Sequence, residues 1–280
     1  MRKICKVINL PRSVYYYHKQ NKPNSYALAN KELDKKIQDI YNGSNKRYGA
    51  PKITKALKAN GTYASIKHVQ RRMRILNIRS ITVKKYKPAS IKAKKEEKTT
   101  YHNLIKQNFK ADKPGSKLVG DITYIYTAKQ GWTYLAIVMD LFDHKVIGYS
   151  YGLNMSDDLS IDALNKAKAN RAISKDCIFH SDRGVQYTSN KYETLLQESN
   201  IKHSYSKKGY PYDNAAMESF NASLKKEEVN LKNYYDYNEA RLAIFEYIES
   251  WYNLRRIHSS IGYLTPEQKY QEYLANQNVS

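Results

Sequence analysis

The excess of basic over acidic residues in this chain ends at a boundary. Residues 1–116 carry 29 Lys and Arg against 6 Asp and Glu, whereas residues 117–280 carry 19 against 20, so the first stretch holds a charge of +23 and the second −1. A step that sharp predicts two bodies with different physical jobs: a basic region that grips a polyanion and a near-neutral body that folds around its own core. A coding bias toward lysine would have spread the lysines evenly. The step points to a phosphate-rich partner, and nucleic acid is the polyanion whose backbone such a region neutralises.

Composition narrows the class further. A length of 280 residues allows about two domains, and 41% apolar with 12% aromatic residues is enough to bury a real core. The longest strand-like apolar run, Tyr134 to Met139, stops at Asp140, far short of the roughly 18 residues of a membrane span. No membrane partner is expected. Cys5 and Cys177 lie far apart with no Cys-x-x-Cys spacing, so neither a disulfide framework nor a zinc finger is indicated, and a reducing compartment fits.

Within the basic part, apolar spacing predicts three short helices, Leu33 to Tyr41, Pro51 to Ala59 and Ser65 to Leu76, separated by breaks near Gly43, Gly49 and Gly61. The last puts Ile66, Val69, Met73 and Leu76 on one stripe and lets Lys67, Arg71, Arg72 and Arg74 project outward. Residues 1–78 thus have helix-turn-helix character, with the second helix of the motif in a DNA groove; an amphipathic helix solvated by its arginines fits the same pattern. Residues 79–116 lose periodicity and crowd lysines among Pro and Thr. They read as a basic linker, with a helix-like remnant near His102 to Phe109 and a domain boundary at Pro114-Gly115.

Beyond the boundary the period changes. Leu118 to Tyr126, Trp132 to Leu141 and Lys145 to Tyr151 predict three antiparallel strands, followed by a helix over Ser156 to Arg171, a fourth strand over Cys177 to His180 and a helix over Asn190 to Glu198. Helical segments near Asn214 to Glu228 and Asn238 to Trp251 lead into a tail with Pro266. Sheet and helices in that order make an α/β domain over residues 117–235, with a C-terminal helix and tail over residues 236–280.

Three acids in this domain belong together chemically. Asp121 sits in the first strand, Asp182 just past the fourth, and Glu218 inside a helix, with 35 residues between the last two. Carboxylates at strand ends and on a facing helix can converge, and convergent carboxylates repel unless cations sit among them. Mg²⁺ accepts such oxygen ligands, and a pair of ions about 4 Å apart can serve both oxygens of a phosphodiester displacement. On a helix Glu218 and Lys225 fall about 20° apart, with Met217, Phe220 and Leu224 on the neighbouring face. That stripe can pack on the sheet and hold the carboxylate at the rim, with Lys225 placed to meet a phosphate.

These residues lie in stretches that resemble a known family: Arg47-Tyr-Gly49, Gly120-Asp-Ile-Thr-Tyr-Ile125, His180-Ser-Asp-Arg-Gly-Val-Gln-Tyr-Thr188, Lys208 to Phe220, and Tyr252 to His258 through Gly262 to Pro266. The chain resembles, over nearly its whole length, the second-frame product (OrfB) of two-frame insertion-element transposases, the IS-three family, relatives of retroviral integrases. The resemblance implies an RNase H-like integrase core with a mixed five-stranded sheet, behind a small all-α DNA-binding region. It implies a metal-binding triad of Asp121, Asp182 and Glu218, with Lys225 as the basic, DNA-contacting residue seven positions past the glutamate, and Mg²⁺ or Mn²⁺, two ions per site. It implies donor-end cleavage that leaves a 3′-OH, followed by strand transfer. The implied partners are the element's terminal inverted repeats, target DNA, the first-frame product (OrfA) and further copies of the chain on paired ends. The implied setting is a prokaryotic cytoplasm, at the nucleoid. Members often carry Trp where this chain has Leu118, a difference in packing rather than chemistry.

His180, Arg183, Asn214, Arg256 and His258 fall in the matching stretches and are expected to shape the site or touch DNA, Arg256 and His258 as DNA contacts. His180 reads equally as a hydrogen-bonded strand-end residue, and His258 as tail packing. Gly209 to Tyr212 has the turn chemistry of a mobile loop before the helix that carries Glu218, which reads as an active-site loop or as a plain connection. Two other classes compete: a DNA-binding regulator with an inactive body, and a tyrosine recombinase imitated by His68-Val-Gln-Arg71 and Tyr101, for which too few residues precede His68.

Overall fold

The computed structural model describes residues 2–20, 25–82, 101–207 and 211–277. The chain divides into two compact units, Met1–Ile81 and Thr82–Ser280.

The first unit is helical: α1 (Arg2–Val7), α2 (Arg12–Gln20), α3 (Ser25–Gly43), α4 (Ala50–Ala59) and α5 (Ile66–Ile75). Its core comes from the predicted stripes. Leu33, Ile37 and Tyr41 of α3 meet Ile53 and Leu57 of α4 and Val69 and Met73 of α5. Pro51 opens α4, and the Ser65 hydroxyl caps α5 by accepting from the His68 N–H at 3.2 Å. Apolar spacing locates only the part of a helix that others cover, so α3 begins eight residues before the predicted segment, and α1 and α2 lie outside the predicted segments altogether. Ile66, placed on the buried stripe, is 43% exposed beside Tyr63 in a surface groove.

The second unit is built on a five-stranded mixed sheet in the order β3-β2-β1-β4-β5. Its strands are β1 (Lys117–Thr127), β2 (Gly131–Asp140), β3 (Val146–Gly152), β4 (Ile178–Ser181) and β5 (Lys202–Tyr205). The first three form the expected antiparallel meander, while β4 and β5 run parallel to β1. Helices α6 (Asp157–Asn170) and α7 (Asn190–Glu198) cover one face over a core that includes Leu118, Val138, Leu164, Phe179 and Tyr192. Helix α8 (Ala215–Glu227) packs on β1, burying Met217, Phe220 and Leu224 as their spacing predicted.

In this unit β5 forms where the residue pattern predicted no strand, and two further segments depart from the sequence reading. Residues 101–116, read as linker, pack onto the second unit: Ile105 is buried, the Tyr205 N–H donates to the His102 carbonyl at 2.9 Å, and the Leu104 N–H donates to the Ser204 hydroxyl at 2.9 Å. No helix forms at His102 to Phe109, because Lys106 and Gln107 take left-handed φ values of 47° and 62°. The lysine-rich remainder of the linker, residues 83–100, lies outside the described residues. The helix expected at Asn238 to Trp251 is α9 (Tyr237–Phe245) continued by a wider π-helical turn, Glu246–Asn253. The Asn253 amide of that turn binds both backbone groups of Val146 at 3.0 Å, and α10 (Pro266–Gln277) closes the described chain.

Candidate active site

Strand register brings the two aspartates into one region. Val119 of β1 pairs with His180 of the parallel β4, so Asp121 lies two residues further along β1 and Asp182 one residue past the end of β4. Gly120 faces Phe179, whose ring lies 2.4 Å from where a Cβ would stand, and Asp121 therefore turns to the opposite face, toward α8. From α8 the Asn221 amide donates to Asp121 Oδ2 at 2.7 Å. Glu218 occupies the first turn of the same helix, where the helix dipole favours an anion, and it is exposed at the rim.

The electrostatics of Asp121 register all three acids. Burial raises its pKa first, the Asp182 charge raises it next, and Glu218 adds to the rise; the Ile122 N–H and the Asn221 amide pull it down, and the net result is about 7. Asp182 is exposed, and its Oδ1 accepts from the Gly184 N–H at 2.9 Å. The three carboxylates share one electrostatic neighbourhood without closing into a cage: among the described residues, no group of three or more His, Cys, Asp or Glu could hold a metal ion. Lys225 lies half-buried two turns past Glu218.

The surrounding residues take structural posts. His180 is fully buried, with Nδ1 2.9 Å from the Ser204 hydroxyl and Nε2 2.8 Å from the Asp213 carbonyl, and burial lowers its pKa. It is the hydrogen-bonded strand-end residue. Arg183 donates from Nε to the Ser206 carbonyl at 3.0 Å. Asn214 is buried, its amide reaching the Gly120 carbonyl at 3.5 Å. Of the loop expected at Gly209 to Tyr212, Gly209 and Tyr210 fall outside the described residues, and Pro211–Asn214 form one 3₁₀ turn into α8.

Of the residues expected to contact DNA, Lys67, Arg71 and Arg74 are exposed on α5, with Arg71 donating to the Tyr26 hydroxyl at 2.7 Å. Three others face inward. Arg72 turns back onto Asp34, donating from Nε at 2.7 Å and Nη2 at 2.5 Å with both side chains largely buried. Arg256 binds Glu227, the last residue of α8, through Nε and Nη2 at 2.9–3.1 Å, and the Ser223 hydroxyl at 2.9 Å. Burial opposes its charge, and Glu227 more than restores it. His258 packs edge-on to Tyr252 at 4.8 Å beneath the Arg256 guanidinium. The partners Asp34 and Glu227 are distant in sequence, so neither the helical spacing that turned Arg72 outward nor the matching stretch that singled out Arg256 could reveal them.

Asn221 escaped the sequence reading although it lies three residues, one helical turn, past Glu218. Its Oδ1 and that of Asn214 are buried without a hydrogen-bond partner in the structure. His68 and Tyr101, the imitation of a tyrosine recombinase, have separate posts: His68 Nε2 meets Asn30 Oδ1 at 3.0 Å, and the Tyr101 ring packs at a tilt against Tyr205 at 4.6 Å.

Comparison with known proteins bears on the whole chain. Residues 111–211 and 199–266 match integrase core domain families, and residues 27–86 match an HTH-like domain. Transposase InsF for insertion sequence IS3A of Escherichia coli K12 is 36% identical over 277 residues, covering 98% of this chain and 95% of its own length. The transposase for insertion sequence element IS904 of Lactococcus lactis is 36% identical over 247 residues, 88% of this chain and 96% of its own. Among solved structures, the HTLV-2 integrase catalytic core domain in complex with magnesium aligns with 56% of this chain and 97% of its own, at 19% identity and a TM-score of 0.43. The simian T-cell lymphotropic virus intasome aligns with 84% of this chain and 74% of its own, at 16% identity and a TM-score of 0.45. With an integrase core behind a helix-turn-helix-like unit and 36% identity over nearly its full length, the chain belongs to the IS3 family of insertion-sequence transposases.

Proposed function

We propose that Asp121, Asp182 and Glu218 are the catalytic carboxylates of this transposase and that they bind Mg²⁺ or Mn²⁺, two ions per site, for cleavage of the element's ends and strand transfer by the 3′-OH. The observation that carries the reading is the convergence of the three acids: Asp121 on β1 and Asp182 just past β4 follow neighbouring parallel strands, and Asn221 of the Glu218 helix bonds Asp121 Oδ2 at 2.7 Å, with burial and both neighbouring carboxylates pushing Asp121 up to about 7. An arrangement that strains its own charges in this way fits a bound cation, and the donors are all oxygens, the chemistry a hard divalent ion takes. Such an ion supplies charge stabilisation at the attacking and leaving oxygens of a phosphodiester.

The chain's own residues do the placing. Asn221 orients Asp121, the Gly184 N–H orients Asp182, and the buried face of α8 holds Glu218 at the rim. Lys225 meets a DNA phosphate near the reacting bond, and the exposed Lys67, Arg71 and Arg74 hold the duplex through its backbone. Its DNA partners are the element's terminal inverted repeats and a target duplex. Work on paired ends calls for more than one copy of the chain, and the first-frame product supplies much of the end recognition. No helix among the described residues is long and apolar enough to cross a membrane, and the reading places the protein in the bacterial cytoplasm, at the nucleoid.

The test is Asp182→Asn in a Mg²⁺-dependent strand-transfer assay on the element's own ends. The variant should bind DNA as the parent does and transfer no strands. Equal transfer by the two proteins removes the triad from the mechanism, and transfer that survives complete chelation removes the metal.

A further inference from the structure

A buried polar cluster lies directly behind Asp182, and the reaction as described does not use it. Ser181, the preceding residue, is fully buried, and its hydroxyl lies 2.8 Å from the Asp182 carbonyl and 3.0 Å from His203 Nε2. His203 Nδ1 lies 2.7 Å from Glu193 Oε1, the same oxygen that accepts from the Tyr205 hydroxyl. On the other side of Asp182, the Arg183 guanidinium sits 5.4 Å from the centre of the Tyr101 ring. Tyr101 packs on Tyr205 at 4.6 Å, and Tyr205 on His203 at 3.9 Å. Both chain neighbours of Asp182 are thereby tied to one group of side chains, Glu193 from α7 with His203 and Tyr205 from β5.

We infer that Glu193, His203 and Tyr205 form a positioning hub that fixes the backbone on either side of Asp182 and so aims its carboxylate. This rests on the assignment of Asp182 as a catalytic carboxylate. The aspartate itself is exposed, and among the hydrogen bonds described for its carboxylate is the one from its own loop, the Gly184 N–H. A side chain held so locally takes its direction from its backbone, and the backbone is held by Ser181 and Arg183.

Hydrogen counting makes His203 the central member. Ser181 has one hydroxyl hydrogen and two acceptors within reach. A neutral His203 that donates from Nδ1 to Glu193 presents a bare Nε2 and takes that hydrogen from the Asp182 carbonyl. A doubly protonated His203 donates at both nitrogens and leaves the hydrogen to the carbonyl. Burial favours the neutral ring and Glu193 opposes it. Tyr192 of α7, His180 of β4 and Tyr205 of its own strand are the other ionisable groups around the ring. A surface groove of about 580 Å³, lined in part by Tyr101, Glu193, His203 and Tyr205, opens onto the cluster.

Glutamine at this position offers Ser181 an N–H donor or a carbonyl acceptor, matching either role of Nε2, and leucine offers neither. The test compares full-length parent, His203→Leu, His203→Gln, Glu193→Gln and Asp182→Asn, using as probe a pre-cleaved duplex that carries the inverted repeat flanking the coding frame. Duplex affinity, strand-transfer rate at saturating duplex and thermal midpoint are measured for each. His203→Leu should lose about tenfold or more in rate, the scale on which small misplacements act, at unchanged affinity. His203→Gln should recover to within about threefold of the parent. A parental rate for His203→Leu, or a His203→Gln as slow as His203→Leu, overturns the inference. If His203→Leu fails to fold, Glu193→Gln carries the test, since it keeps the side chain's volume and removes the charge: a slowed rate at parental affinity supports the hub and a parental rate refutes it. Parental transfer by Asp182→Asn instead sinks the site assignment on which the hub depends.

Discussion

Asn221 donates from its amide to Asp121 Oδ2 across 2.7 Å, and this bond joins the helix that carries Glu218 to the strand that carries Asp121. It also opposes the forces that push Asp121 up to about 7, namely burial first and the Asp182 charge second. The bond therefore acts on geometry and on charge at once.

Asp121 should make the fold less stable as pH rises. Its folded pKa lies above that of an unfolded aspartate, so between roughly pH 4 and 7 the native protein holds a proton that the unfolded chain has released. Its favourable contribution is full below that window and gone above it. Asp121→Asn accepts the same Asn221 hydrogen bond without ionising. It should match the parent near pH 4 and exceed it at pH 8 by on the order of a few kcal/mol. Urea unfolding at the two pH values, in chelator, measures the difference; an equal gap at both pH values would show that the carboxylate is not strained.

Arg256 should prove a structural residue. Glu227 accepts from Arg256, from the Tyr247 hydroxyl at 3.2 Å and from the Trp251 indole at 3.1 Å, all at the C-terminal end of α8. Arg256→Met removes the one positive charge in this set and leaves a buried carboxylate, a loss of about 3–5 kcal/mol. The salt dependence of DNA binding, measured below the lowered melting point, should stay parental. A reduced salt slope with parental stability would return Arg256 to the DNA.

The basic face of α5 should divide in the same way. Lys67→Ala, Arg71→Ala and Arg74→Ala each remove an exposed cation and should weaken DNA binding across all sequences, lowering the log–log salt slope by about 0.9 for each phosphate that is no longer neutralised. Arg72→Ala instead strands Asp34 and should lower the melting temperature of the first unit. Fluorescence anisotropy over a salt series separates the two groups. A melting loss from Lys67→Ala, or a slope loss from Arg72→Ala, would contradict the division.

What the sequence revealed follows the range of the forces involved. The strands β1 to β3 were legible because their long apolar runs must be buried; Asp121, Asp182 and Glu218 could be singled out as candidates because each sits in a local stretch that resembles a known family. The strand β5, only four residues long with a His and a Lys among them, carries too little pattern to read. Asn221, His203 and Glu193 matter through partners 10 to 100 positions away, which periodicity cannot register. Arg72 was assigned outward for the same reason, since a cation on a helix looks solvated until the fold delivers its carboxylate, and the stretch that singled out Arg256 likewise carries no trace of Glu227.

Gly148 should tolerate no side chain. It lies in the middle of β3 where α6 crosses, and a Cβ there would stand 2.2 Å from the Ala163 carbonyl oxygen and 2.5 Å from the Ala167 nitrogen. Both are backbone atoms of a helix whose Leu159, Leu164 and Ala167 are committed to the core, so the clash cannot be relieved by rotating a side chain. Gly148→Ala must lift α6 off the sheet and should cost about 1–3 kcal/mol or more. Gly131→Ala, at the β1–β2 turn, is the contrast. Its added Cβ meets nothing within 4 Å, and its strain comes from a φ of 75° alone, which should cost less. Thermal unfolding of the two variants should order them with Gly148→Ala the less stable, and the reverse order would mean that α6 yields more readily than its burial implies.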